Sequence, residues 1–89
     1  MSISANQTFC VSAWVRTSGG SSGAGGILKL WLLGGSYNDG ESYSFASLND
    51  NWTPIETCAV ATTSHTFIRI QFYINVNGPT LDIDDVDVH

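Results

Sequence analysis

Apolar and polar side chains alternate along most of this chain with a period of two, the spacing of a half-buried strand rather than of a helix. From Thr8 to Arg16, Phe9, Val11, Ala13 and Val15 form one face, and Cys10, Ser12, Trp14 and Arg16 form the other. Between Ile27 and Leu33, Leu28, Leu30 and Leu32 oppose Lys29 and Trp31. The clearest run is Thr66 to Val76, where Ile68, Ile70, Phe72, Ile74 and Val76 alternate with Phe67, Arg69, Gln71, Tyr73 and Asn75. Further strands are predicted over Glu41–Leu48, Trp52–Thr62 and Thr80–Val88. Pro54 marks its strand as an edge or a strand start, because proline cannot donate to a ladder. Turn chemistry separates these runs: a Ser/Gly-rich loop from Thr17 to Gly26, then Gly34-Gly35, Asn38-Asp39-Gly40, Asn49-Asp50-Asn51 and Asn77-Gly78-Pro79. Six strands with no helical window predict an all-β fold, an antiparallel β-sandwich with jelly-roll character. The whole chain, 1–89, reads as one such domain, with the polar Met1–Gln7 segment as an extended arm.

The last strand changes parity partway along. Leu81 and Ile83 share one face, whereas Val86 and Val88 fall on the alternate register, so a bulge is expected near Asp84-Asp85. Asp82, Asp84, Asp85 and Asp87 crowd this segment. They point either to an edge strand guarded against aggregation or to a site for a hard cation.

Composition narrows the function classes. A chain of 89 residues with 43% hydrophobic content can form one small core. Only 12% of residues are charged and the net charge is −5, a profile that suits extracellular or virion-surface proteins. Arg16, Lys29 and Arg69 are the only cations, too few to track phosphates, so neither nucleic acid nor an anionic membrane is an expected partner. The apolar run Ile27–Leu33 is too short to span a bilayer, and no signal peptide is visible at Met1-Ser2-Ile3-Ser4. Cys10 and Cys58 match no zinc spacing; they read as two buried thiols, with a single disulfide as the alternative. His65 sits in a Ser64-His65-Thr66 turn and reads as a solvated loop residue. Neither it nor His89 lies in a nucleophile motif, and nothing sets Glu41 and Glu56 at a glycosidase separation, so no enzyme is expected.

Three segments carry a family resemblance. Ile83-Asp84-Asp85-Val86-Asp87-Val88 resembles the closing strand of carbohydrate-binding modules of the family 4/9/22 type. Thr8-Phe9-Cys10-Val11-Ser12-Ala13-Trp14-Val15-Arg16 is similar to an interior strand of that family, and Asn51-Trp52-Thr53 to the opening of another. The resemblance covers the family's later strands; its earlier ones have no counterpart in this sequence. It implies a jelly-roll sandwich that binds glycan on a concave sheet and carries a structural calcium between first and closing strands. Asp84 matches the closing-strand ligand, but the first-strand ligands are absent. One carboxylate cannot supply the six to eight oxygens of calcium, so weak or no calcium binding is expected, and no other cofactor.

Sugar rings stack on aromatic faces, and their hydroxyls need planar hydrogen-bonding partners. The expected groove is therefore Trp14, Arg16, Trp31, Arg69, Gln71, Tyr73 and Asn75, gathered on one sheet. The expectation is a non-catalytic attachment module for glycan or polysaccharide. The alternative is a structural accessory protein, such as a bacteriophage capsid decoration or fibre component, in which these aromatics contact protein. A sandwich without its first strands has an uncovered core, so a homo-oligomer or docking on a larger assembly is expected. Trp31, Leu33 and Ala59-Val60-Ala61 are the candidate contacts, with Met1–Gln7 crossing to a neighbour.

Overall fold

The alternation resolves into six antiparallel strands and no helix in a computed structural model that describes residues 2–18, 24–75 and 80–89. The strands are β1 (Thr8–Ser18), β2 (Ala24–Leu33), β3 (Asp39–Leu48), β4 (Thr53–Val60), β5 (Phe67–Ile74) and β6 (Thr80–Val88). They form two three-stranded sheets, β4-β1-β6 and β3-β2-β5. Apart from the β2–β3 hairpin, every connection passes from one sheet to the other. The expected strand end at Val76 and the turn Asn77-Gly78-Pro79 lie outside the described residues, as does the centre of the Ser/Gly loop.

The two inner faces are those the alternation marks out. Val11, Ala13 and Val15 of β1 meet Leu28, Leu30 and Leu32 of β2, all essentially buried, and Ile55, Ala59, Phe45 and Leu48 complete the layer. Pro54 lies on β4, an edge strand, where its missing N–H costs nothing. β2 begins at Ala24, three residues earlier than expected. A Cβ on Gly26 would lie 1.8 Å from the Tyr73 carbonyl oxygen, so glycine there permits the close approach of β2 to β5 that otherwise reads as loop composition.

The parity change in β6 is a bulge. Ser12 pairs with Asp87 and Trp14 with Asp84, so Asp85 and Val86 together oppose Ala13. Asp85 takes the left-handed conformation, with φ of 52°, a region that Asp tolerates better than most residues. Ile83, Val86 and Val88 thereby all turn toward the core, while Asp84 and Asp87 stay on the outer face.

Three expectations are corrected. Cys10 and Cys58 are not free thiols: they sit opposite each other in the β1–β4 ladder and form a disulfide. The N-terminal segment does not extend as an arm. Ile3 is buried in the core and bridges to His65 through backbone hydrogen bonds of 3.0 Å in both directions; Asn6 N–H donates to Ala61 O, and Ala61 N–H to Gln7 O. Among the described residues Ile3 is the large apolar side chain that anchors this polar stretch, and a single residue shows no period. Finally, Ala59 and Ala61 are buried, so of the Ala59-Val60-Ala61 segment only Val60 is presented outward; Leu33 is also buried.

One side of the sandwich stays open. β5 and β6 are the edge strands on this side, as β3 and β4 are on the other. Their inward residues are only partly covered: Ile68, Ile70, Phe72 and Leu81 are half-buried, and Ile83, Val86 and Val88 are exposed.

The disulfide closes a loop between positions 48 residues apart, and a cross-link of that span stabilises a fold by roughly 2–4 kcal/mol through the unfolded chain. Reduction, or a double Cys10→Ala, Cys58→Ala variant, is expected to lower the urea midpoint by a corresponding amount. An unchanged midpoint would show that the bond contributes nothing to folding.

Candidate functional site

Strand alternation carries Trp14 and Arg16 of β1 to the outer face of the β4-β1-β6 sheet, away from Val15 and the core. Trp52, immediately before β4, lies beside them. The Arg16 guanidinium sits 4.4 Å over the Trp52 ring and its Nε donates to Asp82 Oδ2 at 3.0 Å. This cation–π and ion-pair arrangement fixes the Trp52 ring while leaving it 39% exposed; Trp14 is 43% exposed. Between the two indoles and the β6 bulge lies a shallow cleft of about 270 Å³ lined by Trp14, Trp52, Asp84 and Asp85. A second cleft of about 300 Å³ shares Trp14 and Asp85 and continues past Pro54 to Glu56 and Ser12. Together they make a trough with apolar flats and carboxylate rims.

The bulge shapes this trough. Its left-handed turn at Asp85 lets two successive carboxylates border the same cleft, which an unbroken strand would not allow. Asp85 N–H donates to Asp84 Oδ1 at 2.9 Å, holding the first of them in place. At the far end, the exposed His89 ring contacts Asp87 Oδ2 at 2.9 Å and Glu56 Oε2 at 3.1 Å.

The remaining expected residues lie elsewhere. Trp31, Arg69, Gln71 and Tyr73 face outward from the β3-β2-β5 sheet, on the opposite side of the sandwich from Trp14 and Arg16. The expected single groove is therefore two separate surfaces. On the second surface the polar groups are largely engaged with each other. Trp31 Nε1 donates to Gln71 Oε1 at 2.8 Å, and Lys29 Nζ covers the Trp31 ring at 4.2 Å. Asn75 Oδ1 accepts from Gly25 N–H, a bond that fastens β2 to the end of β5.

Trp52 and Asp85 are the site residues that periodicity does not find. Trp52 was expected to open its strand, which begins one residue later at Thr53, and its neighbourhood with Trp14 follows only from the β1–β4 register, in which Trp14 faces Pro54. Asp84, the position that matches the family's closing-strand ligand, borders the cleft; among the described residues no group of three His, Cys, Asp or Glu side chains converges as a metal site.

His65, expected to be a solvated loop residue, is instead buried. Its Nε2 lies 2.7 Å from Asp39 Oδ2, and because a carboxylate only accepts, Nε2 carries the proton. The Asp39 carboxylate also accepts from Thr62 N–H at 2.7 Å and from Thr62 Oγ1. Among the described residues His65 Nδ1 is buried without a hydrogen-bond partner. A Cβ on Gly35 would lie 2.0 Å from Ser64 O and 3.1 Å from Nδ1, so glycine lets the loop close over the ring. Asp39 and His65 thus clamp the start of β3 to the β4–β5 connection and, through Ile3, to the N-terminal segment.

No protein-family model, curated protein or solved structure matches this chain.

The clamp has a pH signature. Hydrogen bonds from His65 and Thr62 lower the Asp39 carboxyl from 3.8 to about 2. A depressed folded-state value adds stability that is complete above the ordinary carboxyl range and lost as pH falls toward about 2. Thermal melts are expected to fall in that window for the native chain, and Asp39→Asn is expected to lower stability at neutral pH and flatten the acid limb. An Asp39→Asn variant with the native acid profile would contradict the assignment.

Proposed function

We propose that this protein is a non-catalytic attachment module that binds glycan in the Trp14–Trp52 trough. The observation that carries this reading is the pairing of two exposed indoles with Asp84 and Asp85 in one cleft. Indole faces supply the flat apolar surface on which the C–H face of a pyranose stacks, and carboxylates accept hydrogen bonds from vicinal hydroxyls. The resemblance to carbohydrate-binding modules supports the same ligand class. The engaged state of Trp31 and Gln71 favours the trough over the opposite face.

The electrostatics narrow the ligand. Asp84, Asp85, Glu56 and Asp87 border or adjoin the trough, and its one cation, Arg16, is paired with Asp82. A field of that sign repels uronic acids and sulfated sugars, so a neutral polysaccharide fits best. Asp84 here serves as a hydrogen-bond acceptor for sugar rather than as a calcium ligand.

A second reading draws on the open β5–β6 side: a structural accessory subunit, such as a virion component, that uses its surface to contact protein. The two readings place binding on different parts of the molecule.

Trp14→Ala and Trp52→Ala are each expected to weaken retention in affinity gels containing neutral polysaccharides by about 1–2 kcal/mol. Tyr73→Ala and Trp31→Ala, on the opposite face, are expected to leave retention unchanged. Absence of retention by neutral glycans, or loss through Tyr73→Ala alone, would overturn the assignment.

A further inference from the structure

Of the four edge strands, the two on the open side of the sandwich, β5 and β6, differ in kind. β6 is guarded: it carries four aspartates and a bulge, both of which discourage strand addition. β5, Phe67-Ile68-Arg69-Ile70-Gln71-Phe72-Tyr73-Ile74, has one charge, no bulge, and an unbroken register against β2 from Phe67 to Ile74. Its second edge is unpaired among the described residues. A long, flat, apolar edge of this kind is a template for another strand.

We propose that β5 is a homodimer interface, pairing antiparallel with β5 of a second copy about a two-fold axis at Gln71. The backbone parity supports this register. Asn75 N–H donates to Gly25 O, so the odd-numbered residues of the ladder turn their peptide groups toward β2. The N–H and C=O groups of Ile68, Ile70, Phe72 and Ile74 then face the open side. A two-fold at Gln71 sets Ile70 against Phe72 of the second copy and Ile68 against Ile74, even with even, so all four residues meet in hydrogen-bonded pairs.

The side chains agree with the backbone. On the outer face Arg69 meets the Tyr73 ring of the second copy, twice by symmetry, and Gln71 meets itself, so no like charges oppose each other. Moving the axis to Arg69 would set guanidinium against guanidinium. A β6–β6 pairing would set aspartates against aspartates, which is why the second copy joins through β5. An axis perpendicular to the sheets extends β3-β2-β5 into six strands.

Sedimentation of the native chain across a micromolar concentration series should show a reversible monomer–dimer equilibrium. Gln71 lies at a non-hydrogen-bonded pair on the axis, where the two Cβ atoms come close enough for a disulfide. Gln71→Cys should therefore form a covalent dimer in air, whereas Arg69→Cys should not, its two copies lying about 14 Å apart along the strands. Mixing Arg69→Cys protein with Tyr73→Cys protein should give a mixed disulfide dimer, a check that does not depend on Gln71→Cys folding. A monomer throughout the series, or a dimer that cross-links at neither position 71 nor the 69/73 pair, would overturn the proposal.

Discussion

The structure depends on one constraint: two three-stranded sheets must bury a single shared layer of side chains. Val11, Ala13 and Val15 against Leu28, Leu30 and Leu32 form the centre of that layer, and β1 and β2 are the central strands of their sheets. Both strands are therefore committed on one face to the core, and every other residue is forced outward. That is how Trp14 and Arg16 on one side, and Lys29 and Trp31 on the other, reach solvent. Burying a side chain of Leu or Val size contributes about 1.5–3 kcal/mol, so the central contacts far outweigh any surface pair in this low-charge chain.

Around this centre, closure is uneven. On the β3–β4 side the N-terminal segment, the Asp39–His65 clamp and the Cys10–Cys58 bond all tie chain to chain. On the β5–β6 side the Arg16–Asp82 pair and the Asn75–Gly25 bond each tie strands of one sheet only, and inward residues remain wet. The staples thus accumulate where the core is already covered. The β6 bulge connects the two themes, because the same extra residue turns Val86 and Val88 inward and sets Asp84 and Asp85 beside the indoles.

Much of this was legible in the chain because parity is local. The faces of β1, β2 and β5 follow from alternate residues, and the bulge follows from Ile83 and Val86 falling out of step. What was not legible required knowing which strands are neighbours. Cys10 and Cys58 face each other only because β1 pairs with β4 in one register. Trp14 and Tyr73 are both outward, yet alternation does not say that they belong to different sheets, and so one expected groove became two faces. His65 in a Ser/Thr turn reads as solvated until Asp39, 26 residues earlier, is seen beneath it. Ile3 in a polar segment reads as an arm until the sheets supply a hole for it.

The central claim is that the exposed indoles beside the β6 bulge, and not those on the opposite sheet, form the ligand surface. The most direct measurement is an NMR titration of the three tryptophan indole N–H resonances with a neutral oligosaccharide. The account predicts that the Trp14 and Trp52 signals shift together and saturably while the Trp31 signal, held by Gln71, stays in place. Movement of Trp31 with Trp14 and Trp52 unchanged would contradict it.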